Sequence, residues 1–342
     1  MVGNSKTTGV CELLPPFFIM GCPRSGTTLV AQILNSHSRI AVYHETNYYP
    51  IFRPILHLYG DLRQSSNLMC LINHFLKLIQ IQRVTPPEIE VFQKALVTST
   101  FEGVLTTLLH LYARQQGKIR SGEKTPTHYR YLSEILEKFP ESPVIFVIRD
   151  PRDTVHSIQK TFGSEIEDAT WLWNEAFLSY SRVSSLVHLV RYEELVQKPV
   201  EVIKSICAFL GESYEPTMSN FFEQIPENLR LTHPKDLGKL SGPVVTTSIG
   251  NFQKMSTDDI KQIEAACAAG MEVLGYPFTA SFTITAVVKT TPRQLNFLHF
   301  FFNRLYYYRF NRERWRRGFF RWKMIFWLYI RYLFRGKIGN NM

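Results

Sequence analysis

The stretch Phe17-Phe18-Ile19-Met20-Gly21-Cys22-Pro23-Arg24-Ser25-Gly26-Thr27-Thr28 constrains this chain more than any other. Four apolar residues in a row read as a strand buried on both faces, and the residues from Thr27 onward carry the period of a helix. Between them, Gly21 and Gly26 keep the G-x-x-x-x-G spacing of a loop whose backbone N–H groups converge on an anion at a helix N-terminus. Loops that bind the γ-phosphate of ATP continue with a Lys, and here Thr27 and Thr28 follow instead. The loop reads as one that grips a phosphate-like anion yet is poorly equipped to transfer a γ-phosphate.

Further apolar runs at 40–43, 144–148 and 187–190 alternate with helical patterns at 27–36, 101–116, 128–139, 152–161 and 169–184. Short continuous apolar strands separated by helices predict an α/β fold with a central parallel sheet covered on both faces. Residues 46–118 show helix-like stretches with little strand character and read as a helical insertion after the second strand. Ser256 followed by Asp258 and Asp259 marks a helix start, and Gly275 with Pro277 marks its end.

Charge divides the chain. Of the 39 Lys and Arg and 29 Asp and Glu, residues 289–342 hold 13 basic and one acidic, a balance of +12. The other 288 residues hold 26 basic and 28 acidic, a balance of −2. The expected organisation is a near-neutral catalytic unit over 1–288 and a basic, aromatic extension over 289–342, divided at Lys289-Thr290-Thr291-Pro292. The five cysteines are odd in number and scattered, without a C-x-x-C pair, which disfavours a disulfide framework or a zinc site. No apolar run approaches the roughly 18 residues of a membrane span. The run at 13–20 is broken by Pro15 and Pro16 and does not read as a signal peptide. Cytoplasmic residence is the default expectation.

A second anion site is suggested where the run Val144–Ile148 ends in Arg149-Asp150-Pro151-Arg152, with Ser157 about two turns into the following helix. Arg binds phosphate in a two-pronged manner, and a nearby hydroxyl adds a donor. Asp150 as a magnesium ligand is the alternative; the preceding Arg and the missing loop Lys weigh against it.

Pro23-Arg24-Ser25-Gly26-Thr27-Thr28, followed in order by Arg149-Asp150-Pro151-Arg152 and Ser157, resembles the sulfotransferase family. The branch it resembles most includes protein-tyrosine sulfotransferases and bacterial relatives, and the resemblance covers about 15–278. It implies a P-loop-like three-layer fold and 3′-phosphoadenosine 5′-phosphosulfate (PAPS) as co-substrate. The spent product is 3′-phosphoadenosine 5′-phosphate (PAP), and no metal is required. By that resemblance Arg24, Ser25, Gly26, Thr27 and Thr28 cradle the 5′-phosphosulfate, while Arg149 and Ser157 hold the 3′-phosphate. Tyr192 matches a nucleotide-contacting tyrosine. Glu45, 21 positions after Arg24, matches the catalytic base, and Lys124 matches a lysine that stabilises the reacting sulfate. Phe252 stands near a lid aromatic, with Asn251 where relatives carry a cation, and Asn47 stands where tyrosine sulfotransferases have an Arg. His37, His44 and His128 lie near the motifs without metal-ligand spacing and read as structural. A carbohydrate or glycolipid hydroxyl is the expected acceptor. A phosphotransferase, or a protein-tyrosine acceptor, is the alternative.

The extension follows its own pattern. Trp315, Phe319, Trp322, Phe326, Ile330 and Leu333 fall on one helical stripe, while Arg314, Arg317, Arg321 and Arg335 fall largely off it. A basic amphipathic helix with Trp and Phe on its apolar side suits the inner face of an anionic membrane, lying flat, with 293–337 as the contact. Packing on the body or on a second subunit is the other reading, and nucleic-acid binding ranks last.

Overall fold

In the computed structural model the described residues are 14–224, 242–279 and 320–332. Five strands form one parallel sheet: β1 (Phe17–Gly21), β2 (Ile40–His44), β3 (Arg120–Lys124), β4 (Val144–Ile148) and β5 (His188–Arg191), in the order β2-β3-β1-β4-β5. The helices follow in chain order. After β1 comes α1 (Thr27–Asn35). Between β2 and β3 lie α2 (Tyr48–Phe52), α3 (Ser65–Leu76), α4 (Ile79–Gln82), α5 (Ile89–Lys94) and α6 (Phe101–Gln115). Then follow α7 (Leu132–Lys138), α8 (Pro151–Phe162), α9 (Ile166–Ser181), α10 (Tyr192–Gln197), α11 (Pro199–Leu210), α12 (Thr257–Leu274) and α13 (320–332).

The strand period of two divides the core. Phe17 and Ile19 pack on one side with Val30, Ile33 and Leu34 of α1 and Ile203 and Ile206 of α11. Phe18 and Met20 pack on the other with Val155 of α8, Trp173 of α9 and Met271 of α12. All are buried, and each large side chain withdrawn from water contributes about 1.5–3 kcal/mol before chain entropy is counted. The three-layer α/β architecture expected from the sequence is what forms. Ser256 caps α12 by accepting from the Asp259 N–H at 3.1 Å, and Gly275 ends it with φ 70°.

One strand escapes the apolar-run reading. β3 has the sequence Arg-Ser-Gly-Glu-Lys, without one apolar side chain, yet all five residues are buried. It lies between β2 and β1, with Gly122 opposite both Val42 and Phe17. Gly122 leaves room for the Phe17 ring, since a Cβ there would lie 2.3 Å from Phe17 Cζ. The expected helix at 128–139 is also divided, into a 3-10 turn Pro126–Tyr131 and α7.

Helix α13 lies on the segment between β2 and β3. Met324 and Leu328 are buried, Met324 Sδ accepts from Tyr59 Oη at 3.8 Å, and Arg331 donates to Asn67 Oδ1 at 3.3 Å. Trp327 meets the His74 ring edge-on at 6.3 Å. Trp315, Phe319, Leu333, Arg314, Arg317, Arg335 and the boundary at 289–292 lie outside the described residues.

Two outcomes follow from this packing. Gly122→Ala overpacks the sheet against Phe17 and is expected to cost about 1–3 kcal/mol in urea denaturation. Burial, with Lys77 and Arg331 nearby, pulls the His74 pKa from 6.5 down to about 4. The folded state therefore disfavours the charged ring, and its contribution is complete above pH 6.5 and lost as pH falls toward 4. Amide exchange across 320–332 should speed up over that window beyond its intrinsic pH dependence, and His74→Gln should remove the excess.

Candidate active site

Because the five strands are parallel, their C-terminal ends meet at one edge of the sheet, the usual ligand crevice of such folds. Each strand delivers a residue singled out in the sequence. β1 runs into the loop 22–26, β2 is followed by Glu45, β3 ends in Lys124, β4 is followed by Arg149, and β5 is followed by Tyr192.

The loop after β1 is shaped for an anion. Arg24 and Gly26 have φ of 73° and 101°, the left-handed backbone found in anion-binding turns. Gly26 occupies the cap position of α1 without a side-chain cap, and the first turn of α1 holds no acid. The Ser25 hydroxyl is buried and has no hydrogen-bond partner among the described residues. A buried unmet hydroxyl costs about 1–3 kcal/mol, which an incoming oxyanion would relieve. Gly26 is doubly required, because a Cβ there would lie 2.5 Å from Tyr192 Cδ2 and its φ disfavours any other residue.

Arg149 joins the loop to the second motif. Its guanidinium donates to the Arg24 carbonyl at 3.2 Å and to the Ser248 carbonyl, and it lies 4.7 Å over the Tyr192 ring. Arg149 Nε is buried without a hydrogen-bond partner among the described residues. Arg24 Nε donates to Ser157 Oγ at 3.3 Å, so the two expected phosphate subsites share one continuous wall. Asp150 is committed elsewhere: it caps α8 by accepting from the Arg152 N–H and pairs with the Arg152 guanidinium at 2.6 Å. Those bonds occupy the carboxylate that a magnesium role would need. Among the described residues no group of three or more His, Cys, Asp or Glu could hold a metal ion.

On the other flank, Lys124 is fully buried and its Nζ lies 2.6 Å from Glu45 Oε1 and 3.2 Å from Thr28 Oγ1. Thr28 belongs to α1, so this ammonium links the loop helix to the carboxylate. Glu45 is itself left-handed, φ 57°, and Asn47 follows at φ 50°. Such a conformation at a non-glycine residue costs on the order of 1–3 kcal/mol and persists only where the surroundings impose it. The Glu45 N–H donates to the Lys124 carbonyl at 2.7 Å, and Asn47 Nδ2 donates to the Glu45 carbonyl at 3.1 Å.

Glu123 was not singled out in the sequence, although it precedes Lys124. Its Oε1 accepts from the Thr46 N–H at 3.0 Å, from Thr46 Oγ1 at 2.8 Å and from Thr125 Oγ1. Its Oε2 lies 3.0 Å from His128 Nδ1, with both side chains fully buried. That ring therefore faces a carboxylate inside the core, the structural role expected of His128. His37 likewise binds the Ser213 carbonyl at 2.9 Å, and His44 closes β2. Asp153 was missed too. It accepts from the N–H groups of Gly250 and Phe252 at 2.8 and 2.9 Å, and Arg152 lies 4.2 Å over the Phe252 ring. The segment around Phe252 is thereby fastened to α8 beside Arg149. Backbone donors leave no mark in a sequence, which is why this contact was not legible.

A model of the sulfotransferase family matches residues 15–216. The chain belongs to that family. It is similar to the protein-tyrosine sulfotransferase of Drosophila melanogaster, 25% identical over 291 residues, 80% of this chain and 54% of that protein. Protein-tyrosine sulfotransferase 2 of Gallus gallus is 24% identical and is matched over 77% of this chain and 70% of its own length. The chain thus spans about half the length of the Drosophila relative. The sulfotransferase domain of the Synechococcus PCC 7002 olefin synthase shares the fold, with a TM-score of 0.51 at 18% identity over 78% of this chain and 97% of that domain.

For this sulfotransferase family member, Gly26→Ala should drive the Tyr192 ring out of place and close the anion cradle. Titration calorimetry with PAP is expected to show affinity lowered at least about tenfold, the scale of one lost charge-assisted hydrogen bond.

Proposed function

We propose that the chain transfers a sulfuryl group from PAPS to an acceptor hydroxyl, with carbohydrate or glycolipid as the acceptor class and Glu45 as general base. The observation that carries this reading is the Lys124 ammonium, hydrogen-bonded to both Glu45 and Thr28 at the mouth of the anion loop. A proton-accepting carboxylate, a buried cation and an anion cradle stand side by side, as in-line transfer between oxygens requires.

PAPS supplies the activated sulfuryl group, whose bond to the phosphate oxygen breaks as the bond to the acceptor oxygen forms. The fit is supported by the unmet Ser25 hydroxyl and the unmet Arg149 Nε. The loop residues Arg24, Ser25, Gly26, Thr27 and Thr28 would hold the 5′ end, and Arg149, Ser157 and Tyr192 the 3′-phosphate end. Glu45 takes the acceptor proton as the oxygen attacks. An ammonium has three N–H donors, so Lys124 can keep Thr28 and Glu45 and still meet charge on the departing oxygen. Once its carboxylate is protonated, Glu45 no longer offsets the Lys124 charge, which then stands uncompensated where negative charge collects.

A protein tyrosine is the second reading of the acceptor, favoured by the relatives named for that activity. Against it stands Asn47, whose amide closes the left-handed turn where an Arg would offer charge to an acidic peptide. The body's balance of −2 also gives acidic peptides little attraction. The setting in this reading is the cytoplasmic side of an anionic membrane, to which the basic extension attaches and where a lipid-linked glycan is met.

Glu45→Gln is expected to lower turnover about 10²–10⁴-fold while PAP affinity by calorimetry stays within about threefold. Ser157→Ala should mainly weaken PAP. Wild-type protein should bind PAP more tightly than ADP; the reverse order would favour the phosphotransferase.

A further inference from the structure

We propose that the outward face of helix α13 is a docking surface for an anionic lipid bilayer. The inward side of this helix is occupied: Met324 and Leu328 are buried, and Arg331 reaches Asn67 of α3. The outward side carries Trp322, Ile325, Phe326, Tyr329 and Ile330, exposed by 54%, 41%, 55%, 54% and 37%. At 3.6 residues per turn these five cover an arc of about 140°, the width of an apolar stripe that needs a partner. Trp322 and Phe326 stack at 5.4 Å and 11°, forming one flat aromatic plate. The described members of the stripe read from the sequence, Trp322, Phe326 and Ile330, thus point away from the described residues of the body.

Charge selects the occupant. Arg321 and Lys323 flank the arc on its two sides, and residues 320–332 contain no Asp or Glu. Across 289–342 there are 13 cations and one acid. A second copy of this helix would bring like charges together around the plate, whereas a leaflet rich in phosphatidylserine presents the complementary sign. Aromatic side chains with cations at their margin suit the headgroup level. Among the described residues no helix is long and apolar enough to cross a membrane, so the contact lies along the surface. The seat of α13 is the 53–76 part of the segment between β2 and β3, and that segment begins right after Glu45-Thr46-Asn47. The seat of the docked helix and the general base are therefore carried on one continuous stretch of chain. The choice of a lipid-linked acceptor rests on the sulfuryl-transfer reading; the docking face does not.

The test is flotation of the full chain with vesicles of phosphatidylcholine alone or with about one-third phosphatidylserine, an anionic content at which each nearby cation counts. The wild type is expected to partition at least tenfold more to the anionic vesicles, with the excess lost at 1 M salt. The triple variant Trp322→Gln, Phe326→Gln, Ile330→Gln should lose at least tenfold of that binding. Its thermal midpoint and PAP affinity should stay as in the wild type, because the three side chains are exposed. Flotation of the variant equal to wild type would overturn the face, and no flotation of the wild type would overturn membrane docking altogether. A wild-type dimer that the variant abolishes, without flotation, would assign the face to a second copy and overturn the proposal. Loss of PAP binding beside intact flotation would sink the sulfuryl-transfer reading alone.

Discussion

A carboxylate buried to zero exposure at Glu123 organises the reacting end of this molecule. Withdrawing such a charge from water costs several kcal/mol unless hydrogen bonds and an opposite charge surround it. Here the loops after β2 and β3 supply the hydrogen bonds, Thr46 from one and Thr125 from the other, with the His128 ring 3.0 Å from the second oxygen. Meeting Glu123 fixes where Thr46 lies, and the left-handed turn on either side of Thr46 then fixes Glu45 and Asn47. The next residue along β3 points to the opposite side and brings Lys124 under Glu45. A cost in burial thus becomes precision in position, the usual bargain of preorganised sites.

Much of the fold was legible because apolar runs of four or five residues, spaced by helices, permit few arrangements other than a covered parallel sheet. What hid β3 was its polarity. Glu123 and Lys124 are buried by what they bind and not by what they repel, and a search for apolar runs has no means of finding them. The site divided in the same way. The glycine loop, Arg149 and Ser157 carry residue types that chemistry demands at fixed spacing. Asp153 and Glu123 do their work on backbone N–H groups and short hydroxyls far away in sequence, and nothing local announces that. In the extension the stripe of Trp322, Phe326 and Ile330 was readable from its period. Which way it faced depended on Met324 and Leu328 finding a seat, a fact of tertiary packing.

Tyr192 shows how one side chain can serve two structures. Its ring fills the space that Gly26 leaves, and its face supports the Arg149 guanidinium. The close approach of ring to glycine keeps the loop from collapsing into its own cavity. The cation also lies 3.6 Å from the Asp153 carboxylate through its Nη2, while its Nε is buried with no hydrogen-bond partner among the described residues. Glycine, aromatic ring and guanidinium form a stack assembled from β1, β4 and β5.

The order of the strands has an evolutionary consequence. Everything that would grip the nucleotide hangs from β1, β4 and β5, while the segment between β2 and β3 is a run of helices whose aromatic side chains join the core on one face of the sheet. Descendants of such a chain could vary that segment and meet new acceptors, provided its side chains still fill the shared core and leave the nucleotide-gripping strands in place. The buried junction at the ends of β2 and β3 is the seam at which any replacement would have to be grafted.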